Sequence, residues 1–179
     1  MKKRIAIICS AALLATTVGL TACGDSTKVV TSTTSDGTVS TRTVPDVKFA
    51  KAQFVIHTGL AIGAFKQWIY DPWKAGAFKQ GAPKRKRALA KAALAGAFSL
   101  RELKEARDAA LSDDQLRGLG DKLSSSIGLI DRFVPGVENG KISPLEIAAL
   151  AATFAGIKSL AAKDGAPVKT IVPKIPGIG

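Results

Sequence analysis

"SDDQLRGLGDKLSSSIGLIDRFVPG", residues 112–136, carries the clearest periodic signal in the chain. Leu116, Leu119, Leu123, Ile127, Ile130 and Val134 recur at spacings of three and four. That rhythm lines one side of an α-helix, because 3.6 residues make a turn. Ser112 and Gln115 form a capping-box pattern at its start, and Pro135-Gly136 is expected to stop it. A helix with a single apolar stripe needs other helices to bury it, so the flanking segments decide the architecture.

Downstream, Ser143-Pro144-Leu145-Glu146 opens a second helix with a capping box and Pro at the first position. Ile147, Leu150, Phe154 and Ile157 are its large residues; Ala148, Ala152, Ala155 and Ser159 are its small ones. Lys163 and Gly165 close it. The last stretch, "APVKTIVPKIPGIG" (166–179), holds three prolines and is expected to be an extended tail.

Upstream, a helix is predicted from near Pro83 to Ser112. Its later half sets Leu100, Leu103 and Leu111 against Arg101, Glu105 and Asp108. Its earlier half is small and apolar, with Ala88, Ala92 and Gly96 four apart. The first helix is predicted from about Val47 to Tyr70. Phe54, Val55, Ala61, Ile62, Phe65, Trp68 and Ile69 share a broad apolar arc. Gly59 and Gly63 fall opposite, leaving a notch for another backbone.

Between these two helices, "GAFKQWIYDPWKAGAFKQG" (63–81) repeats Gly-Ala-Phe-Lys-Gln. The unit is too short for a repeat architecture, which needs a period of about 20 residues or more. Asp71-Pro72 is expected to break the helix, with Asp71 capping a short helix from Pro72 to Gln80 that Gly81 ends. The expected fold is all-α: a helical bundle of about four main helices plus one short helix, over residues 47–165. None of the helices is expected to span a membrane, because Lys66, Lys91, Glu146 and Lys158 interrupt the apolar runs.

Ahead of the bundle, residues 24–46 are rich in Ser and Thr. Asp36-Gly37 could close a hairpin there, but neither face would be apolar. A flexible tether is expected instead, reaching up to about 75 Å from residue 23 at about 3.3 Å per residue.

The chain begins "MKKRIAIICSAALLATTVGLTACGDS". Lys2, Lys3 and Arg4 precede an uncharged run from Ile5 to Leu20, the layout of an export signal. Leu20-Thr21-Ala22-Cys23 resembles the lipobox of bacterial lipoprotein precursors. The resemblance implies cleavage after Ala22, a lipidated Cys23 carrying palmitate-type acyl chains, and a location on the outer face of the cell membrane in the cell envelope. It thus divides the chain into a signal peptide (1–22), a lipidated N-terminus with linker (23–46), the bundle and the tail. The alternative is an uncut anchor, since the run stands near the lower limit of about 17 residues for a span. The part after Cys23 is similar to uncharacterised Ala-rich lipoproteins of actinobacterial type, a likeness that implies no activity. With Cys9 in the signal and Cys23 lipidated, no disulfide is expected.

The net charge is +12, or +9 without Lys2, Lys3 and Arg4. Such an excess favours anionic partners: phospholipid, envelope polymer, or another envelope protein with an acidic face. Nucleic acid is disfavoured, as no matching motif is present. Lys84-Arg85-Lys86-Arg87 stands near a helix N-terminus, where the dipole disfavours cations. With Lys74 and Lys79 it is the candidate anion-binding patch, weighed against a merely solvated basic turn. Trp68, Tyr70 and Trp73 straddle Asp71-Pro72 as a candidate aromatic surface, weighed against core packing. His57, the single histidine, is placed on the apolar arc near Trp68 and reads more simply as a hydrogen-bonded structural residue.

No catalytic constellation is visible. No cofactor and no metal site is expected either. Asn139-Gly140-Lys141-Ile142-Ser143-Pro144-Leu145-Glu146 resembles the second half of an EF-hand loop, but Pro135 and Val137 would stand where that loop needs carboxylates. The leading expectation is a non-catalytic binding or interaction module. The alternatives are a small-ligand binder or enzyme with a pocket around His57 and Trp68, and a purely structural envelope lipoprotein.

Overall fold

The computed structural model describes residues 27–33 and 39–178. The lipobox, Cys23 and the Asp36-Gly37 pair lie outside them. Strands β1 (Thr27–Thr33) and β2 (Val39–Pro45) precede α1 (Ala50–Phe65), a π-helical turn (Lys66–Tyr70) and α2 (Asp71–Lys74). Then come α3 (Arg85–Ser112), α4 (Arg117–Glu138) and α5 (Pro144–Lys163). The expected all-α bundle is present, with one small sheet added to it.

Helix α3 is the spine, packed against α1 on one side and α4 on the other. Its contact faces are small: Ala92, Ala95, Gly96, Ser99, Ala106, Ala109 and Ala110 are all buried. A Cβ at Gly96 would stand 2.7 Å from Val134 Cγ2 of α4. The Ser99 hydroxyl donates to the Ala61 carbonyl of α1 at 3.1 Å. Leu103, Leu116, Leu119, Leu123, Ile130 and Phe133 fill the core, joined by Ile147, Leu150, Phe154 and Ile157 from α5. Leu116, Leu119, Leu123 and Ile130 of the sequence stripe are thus buried, and Ile127 and Val134 pack half-buried against them.

Two ends result. The first holds the start of α1, the α3–α4 connection and the end of α5. The second holds α2, the start of α3 and the α4–α5 loop. Helix α3, 28 residues long, separates them by about 42 Å at 1.5 Å per residue.

Several expectations are corrected. Residues 24–46 are not wholly a tether: β1 pairs antiparallel with β2 from Thr27–Pro45 to Thr33–Val39. Among the described residues, buried Val44 supplies the missing apolar contact. The Lys28 ammonium donates to the Ser112 carbonyl at 2.6 Å, and the Val47 amide to the Ser112 hydroxyl at 2.9 Å. The end of α3 thus seats the hairpin, and Ser112 does not cap α4. Asp113 takes the neighbouring amides instead, accepting from Gln115 and Leu116.

Pro135 does not stop α4, which runs on to Glu138. Val137 is fully buried there, and the Lys141 amide donates to the Gly136 carbonyl at 2.8 Å. At Asp71-Pro72 the chain stays helical, with Asp71 at φ −65°, ψ −44°. The π-helical turn just before Pro72 absorbs the misfit, and Asp71 pairs with Lys66 at 2.7 Å rather than capping. The short helix ends at Lys74, not Gln80, because Gly76 turns left-handed at φ +73°.

The glycine notch is filled by the chain itself. The tail after α5 has no regular secondary structure and crosses α1, where the Ile171 amide donates to the Gly59 carbonyl at 3.0 Å. A Cβ at Gly59 would overlap the Lys169 carbonyl oxygen, and one at Gly63 the Ile171 carbonyl oxygen. The tail therefore belongs to the domain, with Ala166, Val168 and Ile178 in its core.

Helix α5 also departs from expectation. It is long and apolar enough to cross a membrane by length and composition, with mean hydropathy 1.5 and 28% of that window buried. Ile147, Leu150, Phe154 and Ile157 are packed inward here, whereas Leu145 is 82% exposed. Its cap is as expected, the Ser143 hydroxyl accepting from the Glu146 amide at 3.4 Å.

Two glycine substitutions separate these roles. Gly63→Ala is expected to destabilise by about 1–3 kcal/mol, because the tail must move. Gly156→Ala, with open space around the added carbon, is expected to stabilise by about 0.5–1 kcal/mol through helix propensity. Urea unfolding of both variants checks this; a neutral Gly63→Ala would contradict the seated tail.

Candidate functional site

The second end of the bundle carries a cleft of about 400 Å³. One wall is the turn after α2, with Trp73, Phe78 and Lys79; the other is the α4–α5 loop, with Gly140, Lys141 and Ile142. Arg85, the first residue of α3, lies between them. Its Nε donates to the Phe78 carbonyl at 2.8 Å and its Nη2 to the Gly140 carbonyl at 2.9 Å. One guanidinium thus ties both walls to the spine, using the fork geometry that Lys lacks.

The local backbone follows from the sequence. Gly76 and Gly140 adopt positive φ, which costs little without a Cβ. Lys84 also stands left-handed, at φ 58°, directly before α3. That kink lets the basic run fan out. Arg85 enters the cleft, whereas Lys84 and Arg87 line a separate depression of about 470 Å³ with Lys91. Lys86 is exposed.

Lys79, Arg85 and Lys141 give the cleft three cations, and no acid stands among its lining residues. Glu146 stands in an adjoining depression of about 330 Å³, which Arg132 and Lys141 also line. Trp73 is held by an aromatic ladder. Phe154 and Phe65 centroids are 5.1 Å apart, Phe65 and Tyr70 6.1 Å, and Tyr70 and Trp73 5.8 Å. Lys74 Nζ stands 5.7 Å from the Tyr70 ring centre, within cation–π reach. Tyr70 and Lys74 therefore support Trp73 rather than line the cleft. Trp68 is half-buried against the core and does not line it either.

His57 is not on an apolar arc. It belongs to a polar seam between α1 and α3, where Nδ1 lies 2.7 Å from Glu102 Oε2 and Nε2 3.0 Å from the Gln53 amide oxygen. Glu102 is the buried partner, 8% exposed against 25% for the histidine side chain, and the imidazole gives its buried carboxyl oxygen a hydrogen-bond partner in place of water. Both ring nitrogens are occupied, and ten residues lie between His57 and Trp68 along the chain.

Residues 135–138 of the EF-hand-like stretch are helical, so they form no calcium loop. Lys141 and Gly140 carry no local signal in the sequence that marks them as site residues. Their signal is topological: in an up-and-down bundle, alternate connections share an end. No protein-family model matches the chain, nor does any curated protein or solved structure match it at a significant level.

Arg85→Ala removes both wall contacts and is expected to cost about 1–3 kcal/mol. Lys86→Ala should stay within about 0.5 kcal/mol. His57→Leu should also cost about 1–3 kcal/mol, and the double variant with Glu102→Leu should recover part of that loss. Thermal unfolding of the four proteins tests these values; equal effects of Arg85→Ala and Lys86→Ala would contradict the bridging role.

Proposed function

We propose that the chain is an exported, lipid-anchored envelope protein whose basic cleft binds an anionic envelope component without catalysis. The observation that carries the reading is the convergence of Lys79, Arg85 and Lys141 beside Trp73, in a cleft without a lining acid. Arg and Lys neutralise phosphate or carboxylate groups, and a Trp face accepts a sugar ring or other flat apolar surface. The anchor part of the reading rests on the lipobox residues Leu20 to Cys23.

The geometry favours a polymer or protein partner over headgroups of the same bilayer, because about 42 Å of α3 separates the cleft from the end where the chain enters. A small-ligand site around His57 and Trp68 is less well supported, since Glu102 and Gln53 already occupy the imidazole. A purely structural role predicts no saturable ligand at all.

The test is equilibrium binding of the protein without its first 23 residues to anionic wall polymer and to phosphatidylglycerol liposomes. Polymer binding is expected to weaken as salt rises, and Lys79→Ala with Lys141→Ala together should weaken it by about tenfold or more. Binding that ignores both lysines, or no binding to polymer, liposome or any envelope protein, would overturn the proposal.

A further inference from the structure

We propose that the first end of the bundle docks on the bilayer that holds the chain's own anchor, with Phe49 inserted among the acyl chains. This rests on the lipid-anchor reading above and adds the surface that meets the membrane.

Phe49 is 84% exposed, the most exposed large apolar residue among those described. It is also backbone-constrained in an unusual way, at φ 53°, ψ 39°. Positive φ is rare for a bulky side chain, and it marks positions where the surroundings impose the conformation. The Phe49 carbonyl accepts from the Gln53 amide at 3.0 Å, so the residue is fixed to the first turn of α1. The backbone is fixed at Phe49 while its ring stands in water.

Its surroundings suit an interface. Lys48 and Lys51 flank it, placing cations where headgroup phosphates would lie. Ala52 and Ile56 follow at helical spacing, and Ile56 is 46% exposed. Beside them Ala166 and Pro167 complete a shallow, mostly apolar groove of about 470 Å³. An apolar strip rimmed by lysines matches the boundary between headgroups and acyl chains.

Covalent reach selects the occupant. Thr27 pairs with Pro45, so β1 begins beside the segment that leads into α1. Cys23 is four residues before Thr27, at most about 14 Å of chain, and Phe49 is four residues after Pro45, at most another 14 Å or so. A lipid on Cys23 therefore keeps the bilayer within about 30 Å of Phe49, so that docking is an intramolecular event at high effective concentration.

The test uses the full chain, expressed with its signal in a bacterium and reconstituted into phosphatidylglycerol–phosphatidylcholine vesicles. A nitroxide at Lys48→Cys reports depth through its relative exposure to oxygen and to a water-soluble nickel complex. The expected result is oxygen exposure exceeding nickel exposure several-fold. Adding Phe49→Ser should reverse that ratio while the protein still floats with the vesicles. A label in water with and without Phe49, on protein that floats, would overturn docking and leave the anchor intact. Protein that does not float and carries no acyl group on Cys23 would overturn the anchor reading and this proposal together. A label shielded equally in detergent, on a particle of doubled mass, would assign the surface to a second copy and overturn the proposal.

Discussion

The structure depends on how closely its backbones approach along α3. Large side chains would hold neighbouring helices apart; Ala92, Ala95, Gly96, Ser99 and Ala106 do not. Val134 sits over Gly96, and the Ser99 hydroxyl reaches the backbone of α1. The described residues contain no cysteine, so no disulfide supplements this packing. The tail repeats the device on the outer side of α1, where its backbone crosses Gly59 and Gly63. The seams along α3 thus rest on dense contacts between small residues, which gain dispersion energy from proximity, while the large side chains fill the core beside them.

The antiparallel packing on α3 also gives the bundle two distinct ends. At one end the hairpin is fastened to Ser112 and Phe49 stands exposed. At the other, Arg85 ties the turn after α2 to the α4–α5 loop and leaves the ammonium groups of Lys79 and Lys141 at the cleft. In the proposed reading the first end faces the membrane and the second faces outward. The cationic patch and the membrane-facing surface are then separate features, although both carry lysine beside an aromatic residue.

The helices were legible because their apolar residues obey a period that only burial explains. Leu119, Leu123 and Ile130 on α4, and Ile147 to Ile157 on α5, are cases where pattern and packing coincide. The glycine notch was legible as a place for backbone, but its occupant is set by tertiary geometry that no local pattern encodes. Local rules failed where a distant contact outweighed them. Buried Val44 and the Lys28–Ser112 bond anchor a hairpin whose own faces are polar, buried Val137 carries α4 past Pro135, and Glu102 draws His57 into a polar seam. The cleft was half legible: the basic run and Trp73 were visible, but Arg85 differs from its neighbours only because two carbonyls from distant segments converge on it. "GAFKQWIYDPWKAGAFKQG" (63–81) is not broken at Asp71-Pro72, where the chain stays helical. Its first Phe joins the aromatic ladder and its second lines the cleft.

The central claim is that the basic cleft is held away from the bilayer by the length of α3. Energy transfer from a donor at Lys86→Cys to acceptors on the vesicle surface measures that separation in the lipidated, reconstituted protein. The account predicts a separation of about 40 Å, set by the helix rise. A donor at headgroup level would contradict it, because the bundle would then lie flat and the cleft would meet the membrane.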